Sequence, residues 1–266
     1  MKKPWIFVFV ICVGLFFGGA AARAEMTADE IVAKADHIAY YQGRDGSARV
    51  SMAITDAQGR TRDREFSILR MNEAAGDGAQ KYYVYFHKPF DIRGMAYLVW
   101  KHPDRDDDRW LYLPALDLVR RIAASDKRSS FAGTTFLYED VSGRSVDLDT
   151  HELEAAEADA YVVKNTPKDP GSVEFAYYVT KIRKADFVPV EAEYFDREGK
   201  LYRRITALKT SEIQGYITVT SMKAEDLNAG TVTVSAFSDI KYDVGLTDDV
   251  FTERYLRRPP LQWIGE

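Results

Sequence analysis

The chain has 266 residues with 36 basic and 41 acidic side chains, a formal charge of −5, 46% hydrophobic residues and 13% aromatic residues. An acidic balance without a basic patch argues against a nucleic-acid partner, which needs cations to neutralise phosphates. A single cysteine, Cys12, excludes an internal disulfide and a thiolate metal cluster, so the fold must be held by its core.

The first residues read as an export signal. Lys2 and Lys3 precede an apolar run over 5–17, and small residues lead to Ala22-Arg23-Ala24. That order is a secretory signal peptide cleaved after Ala24, and the run is shorter than the ~20 residues a spanning helix needs. Cleavage removes Cys12, Lys2, Lys3 and Arg23, which leaves residues 25–266 as a more acidic, cysteine-free single domain.

Thr27-Ala28-Asp29-Glu30 has the form of a capping box. Ile31, Ala35 and Ile38 follow at helical spacing, which predicts an amphipathic helix over 28–41. Beyond it the pattern changes to period two. Val50, Met52 and Ile54 alternate with Ser51, Ala53 and Thr55, a turn falls at 56–59, and 61–70 returns. Strands are expected at 81–87, 94–101, 109–113, 117–122, 159–165, 172–184, 188–196, 201–210, 213–221 and 231–243. Short helical pieces are expected near 125–131 and 149–154. The expectation is a mainly β (α+β) domain, an antiparallel meander of about eleven strands with no βαβ alternation. A sheet of that width curls. With few helices to fill its concave side, either an apolar hollow remains or the aromatic residues pack it; the pattern leaves both open.

Catalytic patterns are missing. His37, His87, His102 and His151 have no metal-ligand spacing. The acidic run 104–108 lacks the calcium-loop pattern and reads as a solvated hairpin. Ser129 and Ser130 sit in no nucleophile elbow, and pairs such as Glu191/Glu193 carry no weight among so many acids. The residues give no positive sign of an enzyme and call for no cofactor and no metal.

The stretch 110–141 stands apart. Arg120 and Arg121 lie between apolar residues of a predicted strand, so one faces in and one out. An inward arginine needs partners: an acidic head group, a covering backbone, or the surface by snorkelling. A Ser/Gly/Thr-rich segment with Phe131, Phe136 and Tyr138 follows.

Tyr112-Leu113-Pro114, Val119-Arg120-Arg121-Ile122 and Ser130-Phe131-Ala132-Gly133-Thr134-Thr135-Phe136-Leu137-Tyr138-Glu139-Asp140 resemble the signature of the outer-membrane lipoprotein-sorting proteins, which are similar to the periplasmic carriers LolA and LolB. The ending Leu246 to Leu256 resembles the way those chains end. The resemblance implies an unclosed, strongly curved barrel covered by helices, a hydrophobic cavity for acyl chains, and a non-enzymatic carrier of lipid or lipidated protein in the periplasm. It also implies transient membrane contact and an inner-membrane RND-type transporter as a possible partner. A non-catalytic envelope adaptor working with such a transporter is the alternative. On this reading the stretch is a flap over the cavity mouth. Phe131, Phe136 and Tyr138 would form its apolar underside and touch either cargo or the sheet, Tyr112 and Leu113 would be further cavity or flap residues, and Arg120 or Arg121 would pair with Glu139, Asp140 or a head group.

Overall fold

The computed structural model describes residues 26–73 and 78–265. The signal-peptide segment, its cleavage site and Cys12 lie outside the described residues. No helix among those described is long and apolar enough to cross a membrane.

The capping box forms as its residue types dictate. The Thr27 hydroxyl accepts from the Glu30 amide at 3.2 Å, and the Glu30 carboxylate accepts from the Thr27 amide at 2.9 Å. Helix α1 (Ala28–Asp36) follows, then loosens into a π turn over His37–Tyr41.

Thirteen strands make one antiparallel sheet: β1 (Asp45–Thr55), β2 (Thr61–Asn72), β3 (Gln80–Lys88), β4 (Ala96–Lys101), β5 (Asp108–Leu113), β6 (Leu118–Arg121), β7 (Asp149–Ala156), β8 (Ala160–Pro167), β9 (Tyr177–Arg183), β10 (Pro189–Phe195), β11 (Leu201–Ile213), β12 (Tyr216–Asp226) and β13 (Thr231–Tyr242). Their order is β6-β5-β4-β3-β2-β1-β13-β12-β11-β10-β9-β8-β7. Two meanders thus join where β1 meets β13. β6 and β7 are the two edges, and they do not pair, so the curved sheet stays unclosed. The chain between them has to cross from one edge to the other.

The expected strands form, with two corrections. Residues 149–154 are part of strand β7, not a helical piece, and the sheet has thirteen strands where about eleven were expected. His-Glu-Leu-Glu-Ala-Ala favours helix by composition. Pairing of Thr150 with Thr166 and His151 with Asn165 on β8 overrides that preference. The strand expected over 172–184 starts only at Tyr177, because Asp169-Pro170-Gly171 turns the chain first, with the Asp169 carboxylate accepting from the Gly171 amide at 3.0 Å.

The sheet has a filled half and a hollow half. β2–β5 are covered on both faces. On the convex side the C-terminal segment lays Leu246, Val250, Phe251, Leu256 and Ile264 on Leu69, Tyr83, Leu98 and Trp110. Short helices α3 (Arg254–Arg257) and α4 (Leu261–Ile264) belong to this cover. On the concave side the crossing segment 122–148 turns inward and packs Phe131, Phe136 and Tyr138 on Phe66, Phe86 and Tyr97. β9–β12 are different: most of their residues on either face are only half-buried. One face meets solvent, and the other meets a cavity.

Candidate functional site

The cavity measures ≈ 420 Å³ and lies between α1 with its π turn, the crossing segment, and the concave sheet. Ligand pockets fall between about 300 and 1,000 Å³ and are mostly apolar. Here the sheet contributes Ile68, Ile205, Ala207, Val219, Met222 and Phe237, α1 contributes Val32 and the π turn contributes Ile38. Alternation along β2 and β11 aims these side chains inward.

The covering helix is held at both ends. Ile31 and Ala35 bury against Val163 and Ile182 of β8 and β9. At the far end Arg70, next inward residue on β2 after Phe66 and Ile68, donates from Nη1 to the Tyr40 carbonyl at 2.8 Å. Its Nη2 donates to the carbonyls of Gln42 and Gly43. The Gln42 side-chain amide donates to the Ile217 carbonyl on β12 at 2.6 Å. The Arg70 bonds satisfy carbonyls that a helix end leaves open.

The crossing segment forms the cavity's other wall and is anchored, not a free flap. Ala132 and Gly133 both take positive φ, 50° and 73°, and the Thr134 amide closes the turn onto the Phe131 carbonyl at 3.0 Å. The Thr135 amide donates to Thr233 Oγ1 at 3.0 Å, and its hydroxyl donates to the Ala224 carbonyl at 2.9 Å, which pins the turn to β12 and β13. Helix α2 (Tyr138–Ser142) then carries Glu139 and Asp140 to the cavity.

Those two acids are neutralised by a buried network. Glu139 accepts from Arg128 at 2.6 Å and from Arg144 at 3.4 Å. Arg144 also donates to Asp149 at 2.8 Å, and Asp149 accepts from the Tyr178 hydroxyl at 2.9 Å. Arg128 clasps Glu174 through two bonds of 2.7 Å. Asp140 accepts from the Leu137 amide at 2.7 Å and from Arg203. Burial pushes the Glu139 carboxyl up, but Arg128 and Arg144 outweigh it and hold the group below its usual range. Beside this network Lys101, also buried, donates to the Ser142 carbonyl at 2.9 Å; burial lowers its pKa.

The structure separates the residues singled out in the sequence. Phe131, only 1% exposed, and Phe136 line the cavity. Tyr138 packs behind them, its ring 5.6 Å from that of Phe131. Leu113 packs against this same cluster from β5. Tyr112 lies on the opposite, convex face, where it donates to Asp117 at 3.2 Å. Arg120 stands opposite Leu111 on the concave side and Arg121 opposite Trp110 on the convex side, as alternation requires, yet both are exposed on the edge strand. Arg121 pairs with Asp108. The expected pairing of Arg120 or Arg121 with Glu139 or Asp140 is therefore corrected: Arg128, Arg144 and Arg203 take those acids, because the segment dives inward beyond the reach of β6.

Inward arginines among the described strands include Arg64, Arg70, Arg109 and Arg203. Arg70 had a signal in the sequence, since Phe66, Ile68 and Arg70 share one strand face. Asp36, Tyr40 and Tyr194, which also line the cavity, had none: the first two look like the polar face of a helix, and Tyr194 lies in a strand apolar on both sides.

The model of a family described as an uncharacterized protein matches residues 78–258, well over half of the chain. The chain belongs to that family. No curated protein matches in sequence. Among solved structures, a DUF1329 family protein from Desulfovibrio piger is similar at 28% identity and TM-score 0.79, covering 86% of this chain and 97% of that one. A structure assigned as an outer membrane lipoprotein-sorting protein domain from Vibrio parahaemolyticus is similar at 28% identity and TM-score 0.78, covering 87% and 98%. A LolA superfamily protein from Nitrosomonas europaea, at 23% identity and TM-score 0.67 over 87% and 100%, shares the fold. The lipoprotein-sorting resemblance and the unclosed LolA-like sheet are thus found.

Proposed function

We propose that the chain is a periplasmic carrier that takes the acyl chains of a lipid or lipidated protein into the cavity under α1 and moves them between envelope membranes. The observation that carries this reading is the hollow half of the sheet. An apolar space of ≈ 420 Å³ persists beneath α1 and its π turn, which are fastened to the sheet by Ile31, Ala35 and Arg70. Burial of acyl chain stabilises a complex by about 0.8 kcal/mol per methylene. Phe131 and Phe136 form the fixed wall that cargo would touch. The role asks no bond-making chemistry of the chain. Export through the signal cleaved after Ala24, a handover partner of the RND-transporter type and brief membrane contact complete the proposal.

The test is native mass spectrometry of protein purified gently from periplasm, followed by organic extraction. Adducts of lipid mass are expected, and they should vanish in Ala207→Trp, which fills the cavity from β11. A clean mass, together with no uptake of an apolar fluorescent reporter by the folded protein, would overturn the carrier and favour an envelope adaptor.

A further inference from the structure

One end of the cavity is polar in a particular way. Asp36 from α1, Tyr40 from the π turn and Tyr194 from β10 all line it. Tyr194 is only 8% exposed. Neither phenol hydroxyl has a hydrogen-bond partner among the described residues, and nor does the Asp36 carboxyl. Asp36 and Tyr40 are half-buried, and three polar side chains left open toward one mostly apolar space are the few convergent polar groups that orient a ligand.

The charges around that end are asymmetric. The cations are already engaged. Arg203 lies over the Tyr194 ring at 5.0 Å and pairs with Asp140. Arg144 is held by Glu139 and Asp149, Arg128 by Glu139 and Glu174, and Arg70 by backbone carbonyls. Lys101 bonds the Ser142 carbonyl and lies behind the Tyr40 ring, 5.7 Å from its centre. Among the described lining residues, Lys241, exposed on β13, is a cation without such a tie. Burial and then the neighbouring Asp140, Asp36, Tyr194 and Glu139 all push the Tyr40 phenol toward its neutral form. The Asp36 carboxylate, close to both phenols at this end, disfavours an anionic head group beside it.

Resting on the carrier reading above, we infer that the cavity selects amphiphiles whose polar end is uncharged and hydroxylated, with Asp36, Tyr40 and Tyr194 binding the hydroxyls, and discriminates against phosphate- or carboxylate-ended chains. Asp36 accepts from a ligand hydroxyl. The two phenols each donate to or accept from another. Such discrimination is large where a site's polar groups would otherwise stay unpaired.

The test compares dodecanoate with its glycerol monoester as competitors of a bound, uncharged apolar reporter, at a pH where the acid is ionised. The monoester should displace the reporter at a concentration about tenfold or more below that of the acid. Asp36→Asn should narrow the gap by strengthening the acid. Tyr194→Phe, which keeps the ring, should weaken the monoester and leave the acid unchanged. Equal or tighter binding of the acid, or a reporter that neither competitor displaces, would overturn the inference while the carrier reading stands; loss of acid binding in Lys241→Ala would then place the head at the exposed side. No reporter uptake by the folded wild-type protein would remove the carrier reading itself.

Discussion

Arg70 on the sheet and Tyr40 on the covering turn are joined by a 2.8 Å hydrogen bond from guanidinium to backbone carbonyl. The same side chain donates to Asn72 Oδ1 at 2.7 Å and to the carbonyls of Gln42 and Gly43. One cation thus fixes the end of the helix that roofs the cavity. Arg70→Met keeps the stem but leaves those acceptors short of donors. Hydrogen bonds from a charged group contribute about 1.5–3 kcal/mol, so a loss of that size is expected on urea denaturation. Amide exchange should accelerate at 37–43 and remain slow in β2–β4. Uniform acceleration across the sheet would contradict a local fastening role.

Phe131 separates structural from exposed aromatics. Its ring meets those of Phe66, Phe86, Tyr97 and Tyr138 at 5.6–5.9 Å. Phe131→Ala is expected to cost about 3–5 kcal/mol, as large-to-small changes in a packed core do. Phe90, 91% exposed on the turn after β3, should cost under about 0.5 kcal/mol when changed to Ser. Thermal melts of the two variants decide this. Near-equal effects would mean that the inward turn is not part of the cooperative core.

Much of this architecture was legible because period two and turn residues survive in the sequence: the capping box at Thr27, the alternation at Val50, Met52 and Ile54, and the hairpin turns lie where they were expected. β7 was not, because Glu, Leu and Ala favour helix and only pairing with β8 makes the segment a strand. The arginine pairings were not legible either. Arg120 and Glu139 lie near one another in sequence, but 122–148 must bridge two unpaired edges and so passes through the interior, where Arg128, Arg144 and Arg203 meet the acids. Which partners meet there depends on the three-dimensional crossing, and no local pattern records it.

Glu139 gives the fold an acid-sensitive joint. Burial raises its carboxyl, Arg128 and Arg144 lower it more, and the folded value lies below the usual 4.5. Its stabilising contribution is therefore complete above about 4.5 and disappears as pH falls through the folded value. Glu139→Gln removes the carboxylate that Arg128 and Arg144 share, while Arg128 keeps Glu174 and Arg144 keeps Asp149, so the loss near neutrality is expected to stay below the about 3–5 kcal/mol of a fully broken buried pair. Denaturation curves at neutral pH and at pH about 3 should show a larger difference between variant and wild type at the first than at the second.

His87 acts in the neighbouring window. Its Nε2 lies 3.0 Å from Ser67 Oγ, which donates to the Ile264 carbonyl at 2.9 Å and so ties the C-terminal cover to β2. Burial first, then Arg49, lowers the imidazole from 6.5 to about 4. Between those values the unfolded chain binds the proton and the folded chain does not, so stability falls as pH drops from 6.5 toward 4. His87→Gln should flatten that part of the melting-temperature profile. An unchanged slope would assign it to other groups.

Gly143 closes the crossing segment beneath the roof. Its φ is 75°, and a Cβ there would lie 2.7 Å from Cε2 of Tyr40. Gly143→Ala therefore meets two separate obstacles: a left-handed backbone position, which costs roughly 1 kcal/mol or more, and a ring that must move. Only the second depends on Tyr40. In a double-mutant cycle with Tyr40→Ala, the alanine at 143 should cost less than it does beside the tyrosine, with a coupling of about 0.5 kcal/mol or more. Strict additivity would mean that the ring yields freely, and that the π turn and the crossing segment are not packed as one wall.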